Sequence, residues 1–304
     1  MDRVETVKVT YGGWPNCVRL RNGLVELVVT TDVGPRIIRF GFIGGENELC
    51  EIGPDLGLAG GYEWRLYGGH RLWHGPEDRE RTYEPDNGPV SWEKIPGGIK
   101  TIQDVEPRTG IRKVMEISLS PEGSVVNILH RLTNEGALPV ELFVWGITAM
   151  APGGKEVVPQ TRRDTGLLPN RVVSLWPYSR LDDPRVHWGE RYITLVQNPA
   201  VRSPFKLGVS NEDGWAAYFN HNHLFIKRYL HACGARYPDF GVSYETYVNE
   251  TILELETLAP LVRLAPGERT EHEEEWELFD NVEMPSDDEE EIEEALKEKA
   301  RSKK

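Results

Sequence analysis

The stretch Cys17-Val-Arg-Leu-Arg-Asn22-Gly23-Leu-Val-Glu-Leu-Val-Val-Thr30 determines the class of fold that the sequence predicts. Apolar and polar residues alternate on both sides of Asn22-Gly23, and a period of two is typical of strands with one buried face. An Asn-Gly pair between two such runs is a strong hairpin signal. Residues 17–21 and 24–30 are therefore predicted to pair as antiparallel strands.

The same alternation recurs along most of the chain. It predicts further strands at residues 36–43, 48–52, 99–105, 112–120, 124–133, 140–150, 191–196, 206–209, 215–219, 224–229, 251–257 and 271–279. Glycine and proline interrupt residues 53–61 and much of residues 67–98, which are predicted to be long irregular connections. Many antiparallel strands in a chain of this length favour an all-β fold, one large β-sandwich rather than a barrel.

The end of the chain has a different pattern. Ser286-Asp287-Asp288-Glu289 resembles a helix start, with acids early and lysines late as the helix dipole favours. We therefore predict a single β-sandwich domain over residues 1–282. Residues 283–304 are predicted to form a charged, acidic tail that is helical and packs loosely outside the main fold.

Composition excludes several classes of protein. The formal net charge of −14 argues against a nucleic-acid partner, because phosphate binding needs a basic face. No stretch approaches the roughly 18 apolar residues of a membrane span, and no signal-peptide hydrophobic region is present near the start. Cys17, Cys50 and Cys233 are scattered and odd in number, so neither disulfides nor a zinc cluster are expected and a cytoplasmic location fits best.

Residues 67–77 combine polar and aromatic side chains within the sequence Tyr-Gly-Gly-His-Arg-Leu-Trp-His-Gly-Pro-Glu. Polar donors beside an aromatic face suit a sugar ring, which has hydroxyl edges and an apolar C–H face. On a helix, His70 and His74 would share one face as metal ligands. The surrounding glycines and proline argue against a helix, so hydrogen bonding to a ligand or loop contacts are favoured over a metal ion.

Two carboxylates stand out near the end of the sandwich. Glu254 and Glu256 are two residues apart in a predicted strand and therefore share a face. If that face lines a groove, they are candidate bases or acceptors for sugar hydroxyls, and their repulsion would raise the pKa of one of them. If it faces solvent, they are an ordinary exposed pair, and both interpretations stay open.

Other side chains could contribute to ligand binding. Trp64 and Trp73 are candidates for stacking on a sugar face, and the planar fork of Arg71 could bind hydroxyls or a carboxylate. His223 either projects from a strand towards a ligand or belongs to a hairpin turn with His221, and the turn is favoured. No phosphate-cradling loop or dinucleotide motif is present.

These segments, in their order, resemble the galactose mutarotase-like superfamily, in particular a branch of predicted aldose-1-epimerase relatives. Residues 22–27 and 33–38 resemble its first hairpin and following strand, and residues 69–77 its active-site loop. Residues 134–140 are similar to its mid-chain turn, and residues 253–257, 264–268 and 276–278 to its C-terminal strands. The resemblance covers about residues 16–279 and implies an antiparallel β-supersandwich with a sugar site on its concave face.

The resemblance also implies a reaction, the interconversion of sugar anomers without a cofactor. A glutamate takes the proton of the anomeric hydroxyl and a histidine protonates the ring oxygen; Glu254 or Glu256 occupies the place of the base. Family enzymes carry the acid histidine just after the mid-chain turn, but residues 142–150 contain none. His70 or His74 is therefore expected to supply the acid. The residues expected to bind the sugar are Arg71, Arg36, Trp73, Trp64 and His223.

Two other functions stay open. The chain could be a non-catalytic sugar-binding protein that has lost its acid. It could also be a lyase or hydrolase on the same fold, which would need a cleft long enough for an oligosaccharide. In each case the expected partner is a small carbohydrate, without a cofactor or metal ion, and the chain is expected to be a monomer or homodimer.

Overall fold

Strands dominate the part of the chain that the structure, a computed structural model, describes, which is residues 4–297, 299 and 300. The first eleven strands are β1 (Glu5–Tyr11), β2 (Trp14–Arg21), β3 (Val25–Thr30), β4 (Arg36–Phe42), β5 (His70–Gly75), β6 (Ser91–Ile95), β7 (Gly98–Ile102), β8 (Ile111–Leu119), β9 (Val126–Asn134), β10 (Val140–Met150) and β11 (Lys155–Pro159). The next ten are β12 (Val173–Leu175), β13 (Val186–Trp188), β14 (Tyr192–Val196), β15 (Phe205–Val209), β16 (Trp215–Asn220), β17 (His223–Tyr229), β18 (Tyr244–Val248), β19 (Leu253–Leu258), β20 (Val262–Leu264) and β21 (Arg269–Asp280). Helix α1 spans Glu289–Leu296.

The described strands form two sheets, and neighbouring strands run antiparallel. Within the described residues, the first sheet has eleven strands in the order β1-β2-β3-β4-β5-β10-β19-β18-β15-β12, and β20 pairs with β10 outside this path. The second sheet, counted over the same residues, has ten strands in the order β13-β14-β11-β16-β17-β21-β9-β8-β7-β6. The predicted all-β sandwich with a C-terminal helix is confirmed.

An apolar core lies between the two sheets. Leu27 and Phe40 contribute to it from the first sheet, and Ile128 and Trp276 from the second. The ring centroids of Phe40 and Trp276 lie 5.9 Å apart. Because successive side chains of a strand point to opposite faces, the first sheet also has an outer set of side chains that can line a site.

The predicted first hairpin forms, with β2 paired to β3. Neither Asn22 nor Gly23 has a positive φ, so the turn is not the type I′ turn that Asn-Gly often makes. Instead the Asn22 Oδ1 atom accepts from the backbone N–H groups of Leu24 and Val25, at 2.8 and 2.9 Å. The predicted turn at residues 220–223 also forms, and there His221 and Asn222 have φ values of 54° and 61°.

The expectation that residues 67–77 form an irregular connection is wrong for most of the segment. His70–Gly75 forms β5, a buried strand between β4 and β10. The preceding glycines are required by close packing rather than by flexibility. A Cβ atom on Gly68 would lie 2.1 Å from the carbonyl oxygen of Cys50, and one on Gly69 would lie 2.2 Å from that of Ile37.

The C-terminal helix begins as predicted, because the Asp288 side chain accepts from the N–H groups of Glu290 and Glu291. The expectation of loose packing is wrong. Ile292 and Leu296 are buried in a cluster with side chains of the second sheet, among them Trp215. Residues 298 and 301–304 of the predicted tail lie outside the described residues, and the division of the chain at residue 282 stays a prediction.

Most other predicted strands are confirmed to within a few residues. Residues 48–52 are the exception, because they form only isolated bridges, Leu49 with Met150 and Glu51 with Gly68. The alternation also does not predict strands β1, β6, β11, β12, β13, β18 and β20. Over the described residues, no helix has the length and apolar character needed to cross a membrane.

Candidate functional site

A cleft of about 460 Å³ opens on the outer face of the first sheet. Side chains of β5, β10, β19 and β15 form much of its lining, and loop residues complete the wall. Seven of the lining side chains are aromatic: Trp64, Trp73, Tyr83, Trp145, Trp176, Tyr178 and Tyr247. The charged side chains of the lining are Arg71, Glu77, Lys206, Glu254 and Glu256. Such a combination of apolar faces and a few polar groups is typical of small-molecule sites.

The register of the first sheet brings these groups together. Ile147 of β10 lies opposite Arg71 on one side and Glu256 on the other, and Glu256 lies opposite Glu245 of β18. Residues opposite each other in antiparallel strands point to the same face. One row of side chains therefore crosses four strands, and Glu254 belongs to the next row along β19.

Arg71 and Glu254 form an ion pair at one end of the cleft floor. The Arg71 Nη1 atom lies 2.9 Å from the Glu254 Oε1 atom, and both side chains are less than a tenth exposed. The guanidinium carbon of Arg71 also lies 4.5 Å from the ring centroid of Trp73 and 5.8 Å from that of Trp64. These contacts fix the orientation of the carboxylate and leave aromatic rings around it.

Lys206 joins two carboxylates at the other end. Its Nζ atom lies 2.9 Å from Glu256 Oε2 and 2.7 Å from Glu245 Oε2. It also lies 4.7 Å from the ring centroid of Trp145 and 4.8 Å from that of Trp176. The indole N–H group of Trp145 donates to Glu256 Oε2 at 2.9 Å.

The burial of this group shifts its proton equilibria. Burial raises the pKa of Glu256, although the Lys206 ammonium opposes the shift, and it raises the pKa of Glu245 well above the ordinary value. Burial alone would lower the pKa of Lys206, but the adjacent carboxylates raise it well above its ordinary value. One ammonium between two carboxyl groups leaves an excess of negative charge, which favours the protonated form of a carboxyl group in this cluster.

His70 lies on the opposite face of β5 from Arg71 and is fully buried between the sheets. Its Nε2 atom is 2.7 Å from Nε2 of His130 in the second sheet, and its Nδ1 atom is 2.9 Å from Oγ1 of Thr148. Burial lowers the pKa of His70 well below its ordinary value. The structure does not bring this predicted acid to the cleft.

His74 is on the same inward face of β5. Its Nε2 atom lies 3.0 Å from Glu106 Oε2, and the other oxygen of Glu106 lies 2.5 Å from the Nζ atom of Lys113. Burial lowers the pKa of His74, and this ion-paired network occupies its side chain. The second candidate acid is therefore also separated from the cleft by the sheet.

Arg36 and His223 are also absent from the cleft lining. Arg36 pairs with Arg71 in register and shares its face, but a loop covers it, and its Nη1 atom donates to the carbonyl oxygens of Leu66 and Gly68 at 3.0 and 2.6 Å. His223 begins β17 in the second sheet, where its Nδ1 atom lies 2.6 Å from Glu48 Oε1. Of the predicted site residues, the structure brings Arg71, Trp73, Trp64, Glu254 and Glu256 together.

Sequence reasoning did not find Lys206 or Glu245 as site residues. Lys206 lies in a short predicted strand, whereas β18, which carries Glu245, is not predicted as a strand, and both are far from residues 67–77 in the chain. A charged residue within such a strand is the only local signal, since burial of an unpaired charge is costly. Their meeting depends on the register of β15, β18 and β19.

One group of side chains could provide metal ligands. His70, His130 and Glu274 each offer one ligand atom, and these atoms lie within 4.8 Å of one another. The ammonium group of Lys227 already lies 3.0 Å from Glu274 Oε1. A cation between these groups would meet that positive charge, so the donor set fits the observed ion pair better than a metal ion.

Comparison with solved structures identifies the fold. A candidate aldose 1-epimerase from Klebsiella pneumoniae is 9% identical, with a TM-score of 0.61, and the match covers 97% of this chain and 86% of that chain. A galactose mutarotase-like protein from Lactobacillus casei is 10% identical, with a TM-score of 0.57 over 87% of this chain and 100% of its own length.

A TPR-domain containing protein from Parabacteroides distasonis is 14% identical, with a TM-score of 0.59 over 90% of this chain. This chain spans 49% of that protein, about half its length. No protein-family model matches the sequence, and no curated protein matches it either. The chain has the galactose mutarotase-like fold that its motifs resemble.

Proposed function

We propose that the cleft binds a sugar ring and that the chain interconverts sugar anomers as an aldose 1-epimerase does. The observation that carries this proposal is the pair Glu254 and Glu256, which lie side by side on the floor of an aromatic cleft with different partners. Two carboxyl groups in different environments can act as a base and an acid. The shared fold also supports the proposal.

Glu254 and Glu256 divide the proton transfers between them. Glu254, held by Arg71, takes the proton of the anomeric hydroxyl. Glu256 in its protonated form gives a proton to the ring oxygen as the bond between that oxygen and the anomeric carbon breaks. Burial raises the pKa of Glu256, which favours the protonated form that this role needs.

The open-chain aldehyde then rotates about the bond next to the carbonyl carbon. Ring closure reverses both transfers: Glu256 takes the proton of the ring hydroxyl, and Glu254 returns its proton to the new anomeric oxygen. The Lys206 ammonium stabilises the Glu256 carboxylate that forms during ring opening. No proton is gained or lost in the complete cycle.

A sugar-binding protein without catalysis is the second candidate. One observation favours it: among the described residues that line the cleft there is no histidine. In that case the carboxylates and Arg71 would only accept and donate hydrogen bonds to sugar hydroxyls. The aromatic walls would contribute equally in both functions.

Saturation-transfer NMR between anomers, over a panel of aldoses, tests the proposal. We expect the wild-type chain to accelerate exchange for at least one sugar, and Glu254→Gln or Glu256→Gln to abolish the acceleration. Glu250→Gln, at an exposed position just before β19, is the matched control and should behave as wild type. Binding without acceleration would favour the second candidate, and neither binding nor acceleration would overturn both.

A further inference from the structure

A second compartment of about 670 Å³ opens beside the cleft. Four side chains line both spaces: Glu77, Tyr83, Trp145 and Trp176. Asp239 and Glu245 line the second space without lining the first. We call this second space the acidic compartment. A sugar ring in the cleft would lie directly next to it.

The acidic compartment has an excess of negative charge. Its lining contains four carboxyl groups and one guanidinium group, those of Glu77, Asp78, Asp239 and Glu245 and that of Arg79. In the adjoining cleft, the ammonium of Lys206 and the guanidinium of Arg71 are already paired with carboxylates. A ligand group with a negative charge would be repelled here, and one with a positive charge would be attracted.

Glu245 provides an independent indication of a ligand. Its side chain is 1% exposed, and its Oε1 atom has no hydrogen-bond partner, although Lys206 contacts Oε2. Buried polar atoms are almost always hydrogen-bonded, so an unpartnered carboxylate oxygen at the wall of a cavity indicates a missing donor. Burial raises the pKa of Glu245 and the Lys206 ammonium opposes this shift, so a second cation beside the carboxyl group would further favour its charged form.

We propose that the acidic compartment binds the protonated amino group of an amino sugar, with Glu245 as the acceptor. This inference rests on the proposed function, because it assumes that the sugar ring lies in the cleft. An ammonium group supplies both the missing donor and the missing positive charge, whereas a hydroxyl group supplies only the donor. The substrate class is therefore an aldose in which one hydroxyl is replaced by an amine.

Calorimetric titration with matched sugars tests the inference. The probes are glucosamine, galactosamine and mannosamine, with the neutral parent, the N-acetyl form and the uronic acid of each. We expect each amine that fits to bind about 10- to 100-fold more tightly than its neutral parent, as a charge-assisted hydrogen bond implies. N-acetylation should remove this preference, and the uronic acids should bind more weakly than the neutral sugars.

The variant Glu245→Gln keeps the shape of the side chain and removes its charge. We expect the ratio of amine to neutral affinity to fall to within about threefold of one, whereas the control Glu250→Gln should keep the wild-type ratio. Asp239→Asn, at an exposed position, should lower the ratio by a smaller factor. It provides the test if Glu245→Gln fails to fold, which far-UV circular dichroism would reveal.

Failure of this inference and failure of the proposed function are distinguishable. If neutral aldoses bind and exchange anomers, but amines have no advantage or uronic acids bind best, the inference is overturned and the function stands. If amines bind more tightly and Glu245→Gln keeps that preference in full, the assignment of Glu245 is overturned. If no sugar of any class binds, both proposals fall.

Discussion

The Nε2 atoms of His70 and His130 lie 2.7 Å apart and connect the two sheets of the sandwich. His130 donates its Nδ1–H to the carbonyl oxygen of His272 at 3.1 Å, so its Nε2 atom accepts the proton of His70. The Nδ1 atom of His70 then accepts from the hydroxyl of Thr148 at 2.9 Å. This pattern leaves both imidazoles neutral.

Lys227 and Glu274 carry the charges of the same network. The Lys227 ammonium donates to the carbonyl oxygens of Gly146 and Leu255, each at 3.0 Å, and lies 3.0 Å from Glu274 Oε1. Glu274 also accepts from the hydroxyl of Thr257 at 2.5 Å. The network is thus charge-balanced, and its partners come from both sheets.

The buried histidines predict a pH-dependent contribution to stability. Burial lowers the pKa of His272 to about 3, while the unfolded chain has a histidine pKa of about 6.5. The unfolded state therefore binds more protons between these values. The stability that neutral His272 contributes is complete above about pH 6.5 and is lost as the pH falls, by at most about 1.4 kcal/mol per pH unit.

The measurement is the free energy of unfolding in urea, compared between the wild-type chain and His272→Gln at pH 7, 6 and 5. The two chains must be compared because other groups also make stability depend on pH. Burial raises the pKa of Glu48 to about 7 and that of Glu156 to about 8, so the stability that these two carboxyl groups contribute falls as the pH rises. We expect the destabilisation caused by His272→Gln to shrink as the pH falls. A destabilisation that stays constant over this range would contradict the prediction.

Breaking the Lys227–Glu274 ion pair should destabilise the chain strongly. Either Lys227→Met or Glu274→Gln leaves a buried partner unsatisfied, and we expect each to lower the free energy of unfolding by about 3–5 kcal/mol. The double variant should cost less than the sum, since it leaves no unpaired charge. In denaturant unfolding, Lys100→Met, at a half-buried lysine paired with the exposed Glu93, is the control and should cost less than about 1 kcal/mol. If the cost of the double variant equals the sum of the two single costs, Lys227 and Glu274 are not directly coupled.

Gly146→Ala tests the close approach of the two sheets. A Cβ atom at Gly146 would lie 2.2 Å from Glu274 Oε1 and 3.0 Å from Thr257 Oγ1. Because Lys227 holds Glu274 in place, we expect a loss of about 1–3 kcal/mol in the free energy of unfolding, measured by thermal or urea denaturation. Gly23→Ala, where the added atom meets nothing within 4 Å, should stay within about 0.5 kcal/mol of wild type. Equal effects of both substitutions would contradict the packing argument.

Much of the fold follows from local patterns in the sequence. Alternation predicts β2, β3 and most later strands, and it correctly puts Glu254 and Glu256 on one face. It fails for β5 because polar residues occupy both faces of that strand, with His70 directed inward and Arg71 outward. A strand of this kind resembles a loop unless the partners that satisfy its buried polar groups are known.

The site was predictable only in part, because some of its residues meet only through contacts between strands that are distant in the sequence. Arg71 and Trp73 were found because they lie in a segment with a conspicuous composition. Lys206 and Glu245 come from separate short strands, and their contact depends on cross-strand register, which one sequence does not encode locally. The resemblance leads to a histidine being expected in the cleft, and the sequence does not reveal that His70 and His74 lie on the covered face of β5.

Trp176 is expected to contribute to sugar binding, because it lines both the cleft and the acidic compartment. Its ring is half-buried and already lies over the Lys206 ammonium, so one face is oriented towards the charged groups of the site. We expect Trp176→Ala to weaken sugar binding about tenfold, as the loss of an aromatic contact of about 1.4 kcal/mol implies. Calorimetric titration should show no change for Trp188→Ala, outside the cleft lining; equal losses in both variants would contradict this assignment.

Trp145→Phe should change the pH dependence of anomer exchange without removing the aromatic wall. The indole N–H group donates to Glu256 Oε2 at 2.9 Å, and a hydrogen bond to the charged form of an acid lowers its pKa. Phenylalanine lacks this donor, so the pKa of Glu256 should rise further. Because Glu256 must be protonated to act as the acid, the rate should decline at a higher pH in the variant than in wild type.

The measurement is the exchange rate as a function of pH, by saturation-transfer NMR, at sugar concentrations well below saturation. Trp188→Phe, in an exposed strand of the second sheet, is the matched control and should keep the wild-type profile. A lower rate with an unchanged profile would mean that Trp145 only shapes the cleft. If instead the acidic limb, along which the rate rises with pH, moved to higher pH, Glu256 would have to be deprotonated to act, and its assignment as the acid would be contradicted.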